Sequence, residues 1–247
     1  MMKKVINEPL KIRRLSEIVE THIRDLILDG EIKVGERLPT EKGLCEQFGV
    51  SSVTAREALK GLEVLGLIEK RRGKGGGIFV SQIKSESVKI PIYSFLNSKK
   101  AASIHLAETR MILEPVAVKI AASRITPNEI KHLEKNILEC KQKLKKAGQT
   151  FSEKDFFDIE EKNVEFHRLI AEATHNPVLA FTIDYISDFL FFYKKKTLIP
   201  NIEFSKGIID DHSKILAQLK IGNADGAVKE MIMHLKNVEE YFEKQKT

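Results

Sequence analysis

Four side chains in the second half of the chain have the chemistry to bind a metal ion. Asn163 and His167 are four residues apart, so they project from one face of a helix. His212 and His234 lie on two later helical segments. Imidazoles from neighbouring helices can converge in a bundle core and bind a divalent ion. From spacing alone, hydrogen-bonded or surface histidines are the more common outcome, so both interpretations stay open.

A second set of side chains has chemistry suited to DNA. An arginine can form paired hydrogen bonds with guanine, and a valine can contact a thymine methyl group. Hydroxyl groups and cations reach phosphates, and glycine lets the main chain approach DNA closely. The candidates are Lys42, Ser51, Ser52, Val53, Thr54, Arg56, Lys60, Arg71, Arg72, Gly73 and Lys74.

The elements around these candidates predict a winged helix-turn-helix. Apolar spacing predicts a first helix over Leu15 to Asp29, and Thr40 caps a second helix that ends at Phe48. Ser51 or Ser52 caps a third helix, which is followed by a strand, a glycine-rich basic loop and another strand. The third helix is expected to bury Ala55, Leu59 and Leu62 and to expose Ser52, Val53, Arg56 and Lys60. Such a helix enters the major groove of DNA.

Each part of this pattern also has a simpler explanation. A basic run is usually a solvated surface, and a glycine-rich turn is usually only a hairpin. The glycines also suggest a phosphate-binding loop, but the Walker spacing with a terminal Lys-Ser or Lys-Thr is absent. The complete order of helices, strands and basic loop is more specific than any part, and it favours DNA binding.

The rest of the chain predicts helices. Thr126 to Glu129 form a capping box with proline at the first helical position, and Pro115 predicts a break or kink in the preceding helix. The expected fold is mainly α. It has an N-terminal winged helix-turn-helix domain over residues 9–80, a linker over residues 81–90, and a C-terminal all-α bundle of six or seven helices over residues 91–247.

Composition excludes several classes of protein. The net charge of +6 permits binding to nucleic acid. Two cysteines provide no disulfide framework. The N-terminus lacks the apolar segment of a signal peptide, and no apolar run has the length of a membrane span. A cytoplasmic protein without a membrane partner is therefore expected.

The segment LPTEKGLCEQFGVSSVTAREALKGLEVLGLIE and the GKGGGIFV after it resemble the GntR family of bacterial transcription regulators. The resemblance assigns DNA contacts to Arg56 and to the glycine-rich wing. Two positions depart from the family pattern: Lys42 stands where arginine is frequent, and Ser52 stands where many members carry a base-reading arginine. The operator sequence of relatives therefore does not transfer to this chain.

The segments ETRMILE, residues 108–114, and NVEFH, residues 163–167, resemble motifs of the FCD effector domain of the FadR subfamily. The resemblance implies that Asn163, His167, His212 and His234 bind zinc, nickel or manganese, and that Arg110 anchors a small organic acid. The residues alone favour a surface ion pair for Arg110, with Glu108 or Glu114. Asn163 stands where aspartate is usual. We therefore expect weaker metal binding and stronger attraction for an anionic effector.

The leading functional prediction is a ligand-responsive transcription regulator, not an enzyme. The winged helix would bind double-stranded operator DNA, as a repressor in the commoner family mode. The helical domain would bind the organic acid and form a homodimer through the apolar segment from Phe181 to Tyr193. One alternative is a metal-dependent enzyme with a DNA-binding module, although no suitable general base or nucleophile is visible. The other is an architectural DNA-binding protein without a ligand.

Overall fold

The computed structural model describes residues 14–82, 85–99, 103–197 and 199–244. The chain forms two compact units, which divide between Ile92 and Tyr93. Residues 9–13 of the predicted DNA-binding domain, residues 83–84 of the predicted linker, and residues 100–102, 198 and 245–247 of the predicted bundle lie outside the described residues. The mainly α architecture is confirmed.

The N-terminal unit is a winged helix-turn-helix. Its elements are α1 (Leu15–Leu28), β1 (Arg37–Leu38), α2 (Glu41–Phe48), α3 (Ser52–Val64), β2 (Ile68–Arg71) and β3 (Gly77–Val80). The Thr40 side chain caps α2 by accepting a hydrogen bond from the Gly43 amide, and Ser51 caps α3 in the same way through Thr54. Gly49 ends α2 in the left-handed conformation, with φ of +63°. The turn between the two helices is therefore encoded locally.

The core of this unit fixes which face of α3 is exposed. Ala55, Leu59 and Leu62 are fully buried, as predicted, and they pack with Leu44 of α2 and Ile23 of α1. The opposite face carries the exposed side chains of Ser52, Val53, Arg56 and Lys60.

The wing is an antiparallel sheet in the order β1-β3-β2. Arg71 pairs with Gly77 across the hairpin, and Arg37 pairs with Phe79 on the other side of β3. Strand β1 was not predicted, because two residues are too few to show the alternation of a strand.

The C-terminal unit is helical. The helices from the linker onward are α4 (Ser85–Ser98), α5 (Ser103–Arg124), α6 (Pro127–Ala147), α7 (Glu153–Glu172), α8 (Pro177–Thr197), α9 (Ile202–Lys220) and α10 (Ala224–Lys244). Helix α4 begins earlier than predicted, within the segment interpreted as a linker. Helix α5 continues through Pro115, where a break or kink was expected. Packing of α5 against α7, α8 and α10 offsets the hydrogen bond that the proline lacks.

Helix α7 is central to this unit, because it packs against α5, α6, α8 and α9. Its apolar core includes Ile159, Phe166 and Ile170, all at most 1% exposed. Glu160, Asn163 and His167 are buried on the same helix. Buried polar groups need partners, so these three residues mark the place where a polar site lies inside the bundle. None of the described helices has both the length and the apolar character of a membrane span.

Candidate DNA-binding surface and metal site

The side chains on the exposed face of α3 and at its N-cap are either available to DNA or engaged in the structure. Val53 is 63% exposed, and within the described residues the Arg56 guanidinium makes a single long contact, of 3.5 Å with Glu41. An exposed ion pair of this length holds a side chain weakly, so Arg56 is available to DNA. The hydroxyls of Ser51 and Thr54 lie 2.9 Å apart and hydrogen-bond to each other. Both therefore also have a structural role in capping α3.

The cations of the wing likewise differ in their surroundings. The Arg71 guanidinium lies 4.3 Å from the centre of the Phe79 ring and 2.7 Å from Glu69, which holds it at the base of the hairpin. Arg37 also approaches the Phe79 ring, at 6.0 Å. Among the described residues, no ion pair engages Arg72 or Lys74. These two cations are therefore better placed than Arg71 to neutralise phosphates.

Glycines determine the path of the wing loop. Gly73 and Gly75 have φ of +90° and +87°, a region that side chains strongly disfavour. A Cβ atom on Gly76 would lie 2.5 Å from the Arg71 carbonyl oxygen, so no side chain fits there. The loop holds its backbone in a tight turn and carries its charge on Arg72 and Lys74.

The structure brings together the three histidines of the helical unit. His167 of α7, His212 of α9 and His234 of α10 are each at most 5% exposed, and each offers a ring nitrogen within 4.8 Å of the others. The Nε2 atoms of His167 and His234 lie 3.2 Å apart. The His212 ring stacks on Phe166 with centroids 3.9 Å apart, which fixes its plane.

This arrangement fits a divalent transition metal. Two nitrogens bound tetrahedrally to one zinc ion at about 2.0–2.1 Å lie about 3.3 Å apart, close to the spacing of His167 and His234. Carboxylates accompany the histidines in the manner of a metal site's outer shell. Glu114 Oε2 lies 2.6 Å from His167 Nδ1, and Asp211 Oδ2 lies 3.8 Å from His234 Nδ1. The Glu114 contact directs the Nε2 atom of His167 toward the cluster.

Arg110 and Glu114 form a buried ion pair beside His167. Glu114 accepts hydrogen bonds from Arg110 Nε and, at 3.2 Å, from Arg110 Nη2. Burial would raise the pKa of Glu114, but Arg110 and His167 hold that pKa well below its usual range. Of the two partners that the sequence offered for Arg110, Glu108 and Glu114, the structure shows the pair with Glu114. The expectation that this pair lies on a solvated face was wrong, because Arg110 is 6% exposed and Glu114 is 2% exposed.

Asp211 is held in a similar network on α9. Its carboxylate accepts hydrogen bonds of 2.8 Å from Lys214 and from Asn237. Burial would raise the pKa of Asp211, but these bonds and the neighbouring His234 hold it below its usual range. Asp211 therefore remains ionised and places a negative charge near the histidines.

Asn163 and Ser187 line a cavity together with Arg110, His167 and His234. The Ser187 hydroxyl is buried and makes no hydrogen bond within the part of the chain that the structure describes. A buried hydroxyl without a partner is uncommon and indicates a group that a ligand can satisfy. Sequence reasoning missed Ser187, Asp211 and the buried position of Glu114. The signal for Asp211 was its place directly before His212.

The pH dependence of stability tests the burial of the histidine cluster. Burial lowers the pKa of His234 from 6.5 to about 4, although Asp211 opposes the change. The unfolded chain then binds a proton more readily than the folded one between these values, so stability falls as the pH drops through this window. In chelator, we expect the free energy of unfolding to fall by about 2 kcal/mol between pH 7 and pH 5.

Urea denaturation at several pH values measures this change. His234→Gln should flatten the slope, whereas His132→Gln, at an exposed position, should leave it unaltered. An unchanged slope in His234→Gln would show that His234 does not titrate in this way.

Comparison with known proteins identifies both units. Residues 15–80 match the family model described as bacterial regulatory proteins, gntR family. Residues 105–237, more than half of the chain, match the FCD domain. The solved structure of Streptococcus agalactiae GntR covers 90% of this chain and 98% of its own, with a TM-score of 0.67 and 24% identity, which supports the fold.

Curated relatives have similar extents. The Uxu operon transcriptional regulator of Escherichia coli is 30% identical over 88% of this chain and 82% of its own length. The HTH-type transcriptional regulator LutR of Bacillus subtilis is 27% identical over 88% of this chain and 98% of its own. The Glc operon transcriptional activator of Escherichia coli is 28% identical over 82% of this chain and 79% of its own.

These relatives and both family models describe transcription regulators and not enzymes, so the enzyme alternative is set aside. The N-terminal match implies DNA binding, and the FCD match implies a small-molecule effector. The chain is a DNA-binding transcription regulator that belongs to the GntR family and carries an FCD domain.

Proposed function

We propose that this regulator is a metal-dependent sensor of a small organic acid, of the FadR subfamily, and that effector binding releases it from operator DNA. The observation that carries the proposal is the buried three-histidine cluster beside the buried Arg110. A metal at the histidines and a guanidinium next to it together suit a carboxylate ligand. Asn163 would complete the metal ligands. A homodimer would present two winged helices to two half-sites.

Arg110 retains donors for a ligand although it pairs with Glu114. The pair uses Nε and Nη2, and the Nη1 donors make no hydrogen bond to the described residues, so they can bind a second carboxylate. The ligand would bind in the cavity that Arg110, His167 and His234 line. Leu190 and Val238 also line this cavity and restrict the size of the ligand.

Two further parts of the proposal concern the sign of regulation and the dimer interface. The Escherichia coli relative of the Glc operon is named an activator, so membership of the family does not by itself imply repression. We propose repression, the commoner mode. The segment Phe181 to Tyr193 offers a partner fewer apolar side chains than its sequence indicates, because Phe189 and Leu190 are buried within their own unit.

A panel of carboxylates with and without metal tests the proposed function. Hydroxy acids, sugar acids and dicarboxylates are added to metal-analysed protein, and the melting temperature and the binding to DNA selected from a random library are measured. We expect one class of acid to stabilise the protein and release the DNA only when metal is present. Stabilisation that survives both chelation and Arg110→Ala would overturn the proposed site.

Ser187 provides a sharper test of the same cavity. We expect Ser187→Ala to weaken binding of the effector by about fivefold, the loss of one hydrogen bond. Metal affinity should not change, because the hydroxyl lies outside the proposed ligand set. Calorimetry with the acid identified above measures the change. Ser213→Ala, on the outer part of α9 where the hydroxyl bonds to the Ile209 carbonyl, is the matched control. Equal affinities of Ser187→Ala and Ser213→Ala for the acid would remove Ser187 from the site.

A further inference from the structure

Asn163 has a buried carboxylate as its closest polar neighbour. Asn163 Nδ2 donates a hydrogen bond of 2.8 Å to Glu160 Oε1. The two residues are 3% and 0% exposed, and they stand three positions apart on the buried face of α7. Glu160 was not among the residues predicted from sequence to take part in the site.

The neighbours of Asn163 fix the direction of its amide. A carboxylate can only accept hydrogen bonds from it, so the nitrogen of the amide must be on the side of Glu160. The oxygen is then on the other side, 4.0 Å from the Cys140 thiol, which acts as a weak donor. A carbonyl oxygen has a second lone pair, which leaves Oδ1 able to bind an ion.

We propose that Glu160 is a positioning residue of the metal site, and that the Glu160–Asn163 pair takes the place of a single aspartate ligand. This inference rests on the proposed metal site. Donating the Nδ2 hydrogen to a carboxylate shifts electron density onto Oδ1, which makes that oxygen a stronger metal ligand. The effect is larger in a buried site, where hydrogen bonds polarise one another.

The pair reverses a simple expectation about Asn163. Introducing aspartate there would ordinarily strengthen binding of a cation. In this chain it would place two carboxylates at hydrogen-bond distance in a buried site, where like charges repel. Asn163→Asp should therefore bind metal no more tightly than the wild type unless Glu160 is neutralised at the same time.

A double-mutant cycle on the full-length chain tests the proposal. The affinity for Zn²⁺ alone is measured by chelator competition for wild type, Glu160→Gln, Asn163→Asp and the double variant. Glu160→Gln should bind about tenfold more weakly. The double variant, in which the charge has moved onto residue 163, should regain an affinity within about threefold of wild type. Glu161→Gln, at the exposed neighbouring position, is the matched control and should not differ from wild type.

Several results would overturn the inference. The inference is wrong if Glu160→Gln binds Zn²⁺ within about twofold of wild type. It is also wrong if Asn163→Asp raises the affinity for Zn²⁺ equally in the presence of Glu160 and of Gln at position 160. Either result would exclude Glu160 from the metal site without contradicting the metal site itself. Absence of Zn²⁺, Ni²⁺ and Mn²⁺ binding in the wild type would overturn the proposed metal site and this inference together. If Glu160→Gln unfolds in chelator, the Asn163→Asp variant tests the inference alone. Tighter binding of Zn²⁺ by Asn163→Asp than by wild type would contradict the proposed role of the Glu160–Asn163 pair.

Discussion

Replacing Glu114 with leucine is expected to destabilise the helical unit by about 3–5 kcal/mol. The change removes the carboxylate that pairs with Arg110 and contacts His167, while the guanidinium remains buried. An uncompensated buried charge is more damaging than the loss of the attraction itself. Urea denaturation in chelator measures the effect without a contribution from bound metal. A loss of less than about 1 kcal/mol would show that the pair is solvated in solution.

The double variant Arg110→Leu, Glu114→Leu separates charge from packing. Removing both charges should restore most of the stability, because apolar side chains can replace a buried ion pair without loss. This variant should fold and bind DNA yet fail to respond to the organic acid. Asp225→Leu, which breaks the exposed pair of Asp225 with Lys119, is the control and should change stability by less than about 0.5 kcal/mol.

Replacing Arg56 with alanine is expected to weaken operator binding by about 5- to 150-fold, which corresponds to about 1–3 kcal/mol. Arg56 lies on the exposed face of α3, and its ion-pair partner in the described part of the chain is Glu41, at a long distance. A guanidinium that pairs with guanine contributes mainly to the affinity for the operator, because random DNA seldom has guanine at that position. The affinity for random DNA should therefore fall much less than the affinity for the operator. Fluorescence anisotropy at a fixed salt concentration measures both.

Other cations provide the comparison for Arg56. Arg72→Ala should weaken binding to operator and random DNA alike and should reduce the salt dependence by about one unit, because a wing cation neutralises a phosphate. Lys229→Ala removes an exposed charge from the helical unit and should leave both affinities unchanged. Equal loss on both DNAs in Arg56→Ala would assign that residue to the backbone of DNA and not to a base.

The parts of the fold that local sequence specifies were predicted well. Thr40, Ser51 and Gly49 determine the ends of their helices through contacts within a few residues, and Thr126 forms a capping box in which both bonds are present. The apolar spacing of α3 placed Leu59 and Leu62 in the core. These features depend on neighbours along the chain, which a single sequence displays.

The features of the fold and the site that depend on tertiary contacts were not predicted from the sequence. Glu114 was recognised as a possible partner of Arg110, but its burial depends on α7, α8 and α10 closing around α5. Spacing on one helix predicts which side chains meet and does not predict whether water reaches them. The same limit applies to Ser187, whose importance comes from a cavity built by several helices. The histidines were proposed as a cluster chiefly from a family resemblance, and the structure brings their rings together.

The wing also has a consequence for how such a regulator can diverge. Its shape depends on Gly73, Gly75 and Gly76, and its unpaired charge within the described residues lies on Arg72 and Lys74. Shape and charge are thus encoded at separate positions of one short loop. Inherited changes at the two charged positions can adjust the strength of DNA binding in small steps while the glycines keep the backbone path, so the affinity for DNA can evolve without a new fold.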